Sequence, residues 1–268
     1  MKLYYREIGD KGPVLIIVHG LYGASDNWMS IAKPLSDYFK VYVIDQRNHG
    51  QSPHHPSHTY DDMSNDLEEF MDDQKIEKAH LLGHSMGGKT VMRFALQYPE
   101  KTDKLIVADI APKSYASFNN YALETNKHDH LVHAMLKAPI YSFNTRTEID
   151  DYLKKDIPND QIRQFLIKNI KRSENGDFKW KLNINAIHEN LNEILNGFSD
   201  LSPDENKYTH PTAFIKGEKS NYLLEEDMFT TRKYFPDAEF LTIPHAGHWL
   251  HAEQPDLFIK TVLYFLQN

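Results

Sequence analysis

The sequence predicts an α/β fold, a mostly parallel, doubly wound sheet with a helical segment inserted late in the chain. Three observations carry that prediction. Short uninterrupted aliphatic runs recur through the first 109 residues, each ending at a glycine or a polar residue. Segments with helical spacing lie between them. After Asp109 the rhythm stops for the 100 residues from 112 to 211, then resumes with two further strand-like runs. Strand and helix in alternation is the pattern of a parallel sheet, and strands without polar interruption suit a sheet covered on both faces.

Taken in order, Lys2 to Ile8 reads as an antiparallel edge strand before Gly9 and Gly12-Pro13. The runs Val14–Val18, Val41–Ile44, Ala79–Leu82 and Leu105–Ala108 read as parallel strands, with helices at about 28–37, 61–73 and 86–97. A structureless loop spanning 112–211 is implausible inside a compact unit. Apolar residues at three- and four-residue spacing instead predict helices at Leu123–Leu136, Ile149–Lys155, Gln161–Lys171 and Ile184–Leu195. Thr212–Lys216 and Glu239–Ile243 read as the last two strands. The expected organisation is a core of 1–111 and 212–268 with a helical cap (lid) over 112–211.

Composition excludes several function classes. The 268 residues are 40% hydrophobic and 25% charged, a globular balance. Thirty Lys and Arg against 38 Asp and Glu give a net charge of −8, which argues against nucleic acid as a partner. The absence of cysteine rules out disulfides, thiolate catalysis and cysteine-ligated metal, and fits a reducing compartment. Charges in Lys2, Arg6 and Glu7 stand where a signal peptide needs an apolar stretch. The aliphatic run Val14–Val18 falls far short of the roughly 20 residues of a membrane span. The expectation is a soluble, cytoplasmic protein with no membrane span. Its oligomeric state is not readable.

Four places carry chemistry. Gly83-His84-Ser85-Met86-Gly87-Gly88 is a G-x-S-x-G pattern between a predicted strand and a predicted helix. A serine on so sharp a turn brings the residues two before and two after it close together, so both are glycine. The turn lifts the hydroxyl above the sheet, beside a helix N-terminus that favours developing negative charge. His19-Gly20-Leu21-Tyr22-Gly23 follows an earlier strand, and chemistry in such sheets sits beyond the strands' carboxyl ends. An acyl-transfer site needs two backbone donors for the oxyanion. The amides of Met86 and, most simply, Leu21 are the candidates.

A serine also needs a base, and His245, His248 and His251 compete in the loop after the last strand. His248 follows a glycine that can aim it back over the sheet, whereas His251 falls in the next helix and His245 lies close to the strand end. For the acid that orients the base, Glu218 stands just after strand 212–216 and Asp109 ends an apolar strand. A carboxylate at an apolar strand end is costly without a partner, which favours Asp109. Tyr22, Trp249, Leu21 and Met86 are expected to line the substrate site. No cofactor or metal is called for. Asp45 to Ser52 reads as turn structure. His54, His55 and His58 lack the spacing of a metal site, and Lys168, Lys171, Arg172, Lys179 and Lys181 read as a solvated face.

With these residues in hand, the chain resembles the α/β-hydrolase superfamily, and more narrowly the bacterial YbfF-type serine esterases. The resemblance rests on His19–Gly23 with Asp26-Asn27-Trp28, on Asp45-x-Arg47-Asn48-His49-Gly50-x-Ser52, and on Gly83–Lys89. It continues in Asp109-Ile110-Ala111-Pro112 and in Gly247-His248-Trp249-Leu250-His251-Ala252-Glu253-x-Pro255. Asn48 is informative, because most relatives have glycine there. The resemblance implies an α/β-hydrolase fold and a serine carboxylesterase acting on a small-molecule ester. Ser85 would be nucleophile, His248 base, Asp109 acid, and Leu21 and Met86 the oxyanion amides. The same site could serve thioester, lactone or carbon–carbon hydrolysis, or perhydrolysis, and a hydrolase scaffold can also serve as a ligand receptor without turnover.

Overall fold

Each aliphatic run of the first 109 residues forms a strand: the run Val14–Val18 matches its strand, the next three strands extend past their runs, and the edge strand expected from Lys2 begins only at Tyr5. In the computed structural model, which describes residues 1–116, 122–198 and 200–268, the strands are β1 (Tyr5–Ile8), β2 (Val14–Val18), β3 (Lys40–Ile44), β4 (Ala79–His84), β5 (Thr102–Ala108), β6 (Ile170–Arg172), β7 (Phe178–Trp180), β8 (Thr212–Gly217) and β9 (Glu239–Ile243). Seven of them form one sheet in the order β1-β3-β2-β4-β5-β8-β9. β1 pairs antiparallel with β3, and every other pair in that sheet is parallel.

Helices cover both faces. α1 (Met29–Leu35), α2 (Tyr60–Asp73) and α3 (Met86–Gln97) connect the early strands. Between β5 and β8 lie α4 (Ala122–Lys137), α5 (Arg146–Leu153), α6 (Asp160–Ile167), α7 (Ile184–Glu189) and α8 (Leu191–Leu195). α9 (Asp227–Tyr234) follows β8, and α10 (Leu250–Glu253) and α11 (Pro255–Gln267) follow β9. Strand side chains alternate between the two faces. Ile16, Val18, Leu81, Leu105 and Val107 pack with Leu67 and Phe70 of α2 and Met92 and Phe94 of α3. Leu15, Ile17, Leu82, Ile106 and Ile215 pack with Ile31 and Leu35 of α1 and Phe258 and Val262 of α11. Both faces are therefore dry, which is why these strands tolerate no polar residue until their ends. Among the described residues no helix is long and apolar enough to cross a membrane.

The segment between β5 and β8 is helical as expected, with two differences; residues 117–121 and 199 lie outside the described residues. The helix expected over Gln161–Lys171 stops at Ile167, and Ile170–Arg172 pairs antiparallel with Phe178–Trp180. The Asn175-Gly176 turn between them, with Gly176 at φ 89°, is a hairpin signal that competes with the continuing apolar spacing. The helix expected over Ile184–Leu195 is broken at Asn190, whose side chain donates to the Ala186 carbonyl (2.8 Å) and to the Pro56 carbonyl (2.7 Å). An asparagine that bonds neighbouring backbone offers the chain an alternative to the helix. Asn48 ties this segment to the sheet. It sits at φ 66°, where glycine would be at ease, but its Oδ1 accepts from Asn183 Nδ2 (3.0 Å) and from the His55 amide (2.8 Å).

Candidate active site

β4 ends at His84, α3 begins at Met86, and Ser85 alone makes the turn, at φ 53° and ψ −121°. A non-glycine residue in this region is strained by the order of 1–3 kcal/mol and is held only by its surroundings. Here the Ser85 amide donates to Ala108 of β5 (3.0 Å), and the Lys89 amide donates to the Ser85 carbonyl (3.1 Å). The flanking glycines are required by contact. A Cβ on Gly83 would lie 2.2 Å from the Gly87 carbonyl oxygen, and one on Gly87 would lie 2.3 Å from that of Val18.

The structure brings three of the expected residues together. His248 Nε2 lies 3.1 Å from Ser85 Oγ, and His248 Nδ1 lies 2.8 Å from Asp109 Oδ2. Asp109 follows β5, the strand beside β4, so its carboxylate reaches the imidazole from the neighbouring strand end. It is fully buried. Its Oδ1 accepts the Gly217 amide (3.0 Å), and its Oδ2 also accepts the Ser220 hydroxyl. A carboxylate that accepts only can receive a proton-bearing Nδ1, which leaves Nε2 of a neutral imidazole as the acceptor facing Ser85.

Neither of the other loop histidines can take this place. His245 is exposed and its amide donates to Glu218 (2.7 Å), so the rival acid is engaged away from His248. His251 is buried and stacks flat on Trp28, with ring centroids 4.2 Å apart.

Two supports for His248 are not evident from the sequence. Tyr222 stacks on its ring at 3.7 Å between centroids, and His84 Nε2 donates to its carbonyl (2.8 Å). Tyr222 lies in the loop after β8, where no local sequence pattern marks it. Ser220, two residues before it, serves Asp109 rather than replacing it.

The loop after β2 closes over the same point. A Cβ on Gly20 would lie 3.1 Å from Ser85 Cβ. Within this loop the Tyr22 amide donates to His49 Nε2 (3.2 Å) and the Gly23 amide to the Gly20 carbonyl (2.9 Å). The Met86 amide, as the first of α3, has no intrahelical acceptor. His19 is structural: its Nδ1 donates to the Gly20 carbonyl and its Nε2 accepts the Gln46 amide.

Two cavities meet at Ser85. The larger, about 450 Å³, is lined by Tyr22, His248 and Trp249 together with Ile162 and Phe165 of α6. The smaller, about 30 Å³, is lined by Met86, Lys89, Ile110 and Ile194. Tyr22 and Trp249 line the larger cavity, Met86 the smaller, and Leu21 borders both. The His54, His55 and His58 side chains do not converge. His58 is buried against Asn48 and Met86, and His54 faces the Lys181 carbonyl. Among the described residues one group has metal-ligand atoms within 4.8 Å of one another, Asp129 and His133 of α4 with His188 of α7. None of the three lines either cavity.

The buried histidines carry a consequence for stability. Burial pushes His58 and His251 down to about 3, and holds His19, His49 and His84 below the ordinary imidazole range. The unfolded chain takes up these protons below about pH 6.5, while the folded chain does not. Stability is therefore complete above that pH and is lost as the pH falls through the window beneath it. Each such group contributes a slope of up to about 1.4 kcal/mol per pH unit. The urea midpoint is expected to fall steeply between pH 6.5 and 5, before the carboxylates titrate. A midpoint unchanged down to pH 5 would show that these imidazoles are not held neutral.

A sheet of this order, with a serine on the β4–α3 turn and a histidine after the last strand, defines an α/β hydrolase. The family model for the alpha/beta hydrolase fold matches residues 13–255, and the chain belongs to that family. It is 38% identical over 261 residues to the sn-1-specific diacylglycerol lipase ABHD11 of Danio rerio, covering 97% of this chain and 80% of that one. It is 31% identical over 254 residues to esterase YbfF of Escherichia coli, covering 95% and 93%. A solved structure described as a marine microorganism esterase superposes with a TM-score of 0.93 at 45% identity, covering 98% of this chain and 99% of that one.

Proposed function

We propose that this protein is a serine carboxylesterase, with Ser85 as nucleophile, His248 as general base and acid, and Asp109 as the orienting carboxylate. The observation that carries the reading is the continuous contact from Ser85 Oγ through the imidazole to a buried carboxylate. The esterase and lipase names of the relatives support ester chemistry on it. Residues 112–211 act as a cap over the larger cavity. Its volume suits a small molecule.

In the proposed reaction His248 Nε2 takes the Ser85 proton as Oγ attacks the ester carbonyl. The oxyanion forms against the amides of Met86 and Leu21. In that loop the Tyr22 and Gly23 amides are engaged elsewhere, which favours Leu21. The imidazolium then gives its proton to the leaving alkoxide, releasing the alcohol and leaving the acyl-enzyme. Water, deprotonated by His248, attacks that ester in turn, and the carboxylic acid leaves as Ser85 recovers its proton. Asp109 holds the tautomer and stabilises the charged imidazole.

Steady-state hydrolysis of a chromogenic ester panel tests the reading. Multiple turnovers are expected. A single stoichiometric burst would instead indicate a ligand receptor on a hydrolase scaffold. His248→Ala is expected to remove turnover and His251→Ala, in a stacked structural position, to leave most of it in whatever fraction stays folded. The reverse ranking would move the base to His251.

A further inference from the structure

We infer that the two cavities divide the substrate at Ser85, the 30 Å³ chamber taking the acyl group and the 450 Å³ chamber the alcohol, so that the preferred substrates are esters of two- to three-carbon acids with larger apolar alcohols. The inference rests on the proposed ester hydrolysis and fixes its substrate class.

The geometry of the tetrahedral carbon makes the assignment. One of its four bonds goes to Ser85 Oγ. A second carries the oxyanion, toward the amides of Leu21 and Met86. The third carries the leaving oxygen, which must lie within reach of His248 Nε2 to be protonated. The acyl carbon takes the remaining direction, away from the imidazole. His248 lines the larger chamber and not the smaller, whereas Met86 lines the smaller and not the larger. The alcohol therefore enters the large chamber, along a wall where Trp249 and Phe165 pack against each other at 5.6 Å between ring centroids. The acyl group enters the small one.

Size then sets specificity. At about 30 Å³ against about 450 Å³, the acyl chamber is by far the smaller of the two and suits only a short acyl chain. Two parts of its wall are tied in place. Lys89 Nζ donates to the carbonyls of Leu195 and Asn196 and lies 4.7 Å over the Tyr115 ring. Ile194, at the α8 wall, is buried, and its carbonyl accepts the Tyr60 hydroxyl (2.6 Å).

Two ester series test this. In p-nitrophenyl esters of increasing acyl length, kcat/KM is expected to fall at least about tenfold from propionate to hexanoate, a loss of about 1.4 kcal/mol in transition-state binding. In acetates of increasing alcohol length it is expected to rise from ethyl to hexyl. Ile194→Ala, which opens the small chamber, should restore hexanoate relative to acetate by about tenfold and leave the alcohol series unchanged. Phe165→Ala should alter the alcohol series alone. A wild-type preference for long acyl chains, or an acyl ratio that responds to Phe165→Ala and not to Ile194→Ala, would overturn the assignment while leaving ester hydrolysis intact. Turnover of no ester in either series would overturn both. Should Ile194→Ala misfold, the wild-type series alone decides.

Discussion

Replacing Ser85 with alanine is expected to remove ester turnover by about 10⁶-fold, the scale of loss when a serine hydrolase loses its nucleophile, and to abolish labelling by a fluorophosphonate probe. The expectation follows from the position of the hydroxyl. Ser85 Oγ is the group placed 3.1 Å from an imidazole whose other nitrogen meets a buried carboxylate. Ser85 carries the one hydroxyl in Gly83-His84-Ser85-Met86-Gly87-Gly88, and the buried His84 is engaged with the His248 carbonyl. The substitution keeps the Cβ and the backbone contacts of the turn, so the thermal midpoint should stay near that of the parent. The check has two parts. Mass spectrometry should place the phosphonyl adduct on the peptide containing Ser85. Circular dichroism should show the variant folded while its turnover is gone. An adduct elsewhere, or full activity in a folded alanine variant, would remove Ser85 from the proposed mechanism.

The sheet and the turn at Ser85 were legible because both are local. Leu15, Ile16, Ile17 and Val18 form an uninterrupted run since both faces of β2 are dry, and Gly83 and Gly87 are glycine since a Cβ at either meets backbone. Asp109 was legible for a different reason: a carboxylate at the end of an apolar strand needs partners, and it has three donors. What the sequence hid depends on contacts between distant segments. Tyr222 covers the His248 ring from a loop 26 residues earlier in the chain, and no local pattern marks a tyrosine for that place. Ile167 and Ile170 continue the spacing that predicts a helix as far as Lys171, into β6; what decides against it is the Asn175-Gly176 turn beyond them, which pairs β6 with β7. Asn190 broke a helix by bonding to Pro56, a partner 134 positions away.

Asp109→Asn is expected to lower turnover at least about 10²-fold, and as much as about 10⁴-fold if the tautomer is lost completely, while fluorophosphonate labelling slows in parallel. The wild-type carboxylate accepts from the Gly217 amide on one oxygen and from Ser220 and His248 Nδ1 on the other. Asparagine offers one oxygen and one NH₂. With its oxygen kept on the Gly217 amide, the NH₂ faces His248 and forces Nδ1 to accept, so Nε2 carries the proton and cannot take one from Ser85. With the amide turned over, the NH₂ faces the Gly217 N–H, and a buried donor is left unpaired at a cost of about 1–3 kcal/mol. Either outcome damages the site, the first through the base and the second through the strand end. Circular dichroism and a urea midpoint must therefore accompany the kinetics, and the loss in kcat should exceed anything the fraction unfolded explains. Glu218→Gln supplies the contrast. Glu218 Oε2 accepts the His245 amide at 2.7 Å, a bond that the glutamine carbonyl can keep, and its turnover should change by less than about tenfold. Should Glu218→Gln prove the more damaging of the two in folded protein, the orienting acid would belong after β8, and the contact between Asp109 and His248 would be structural alone.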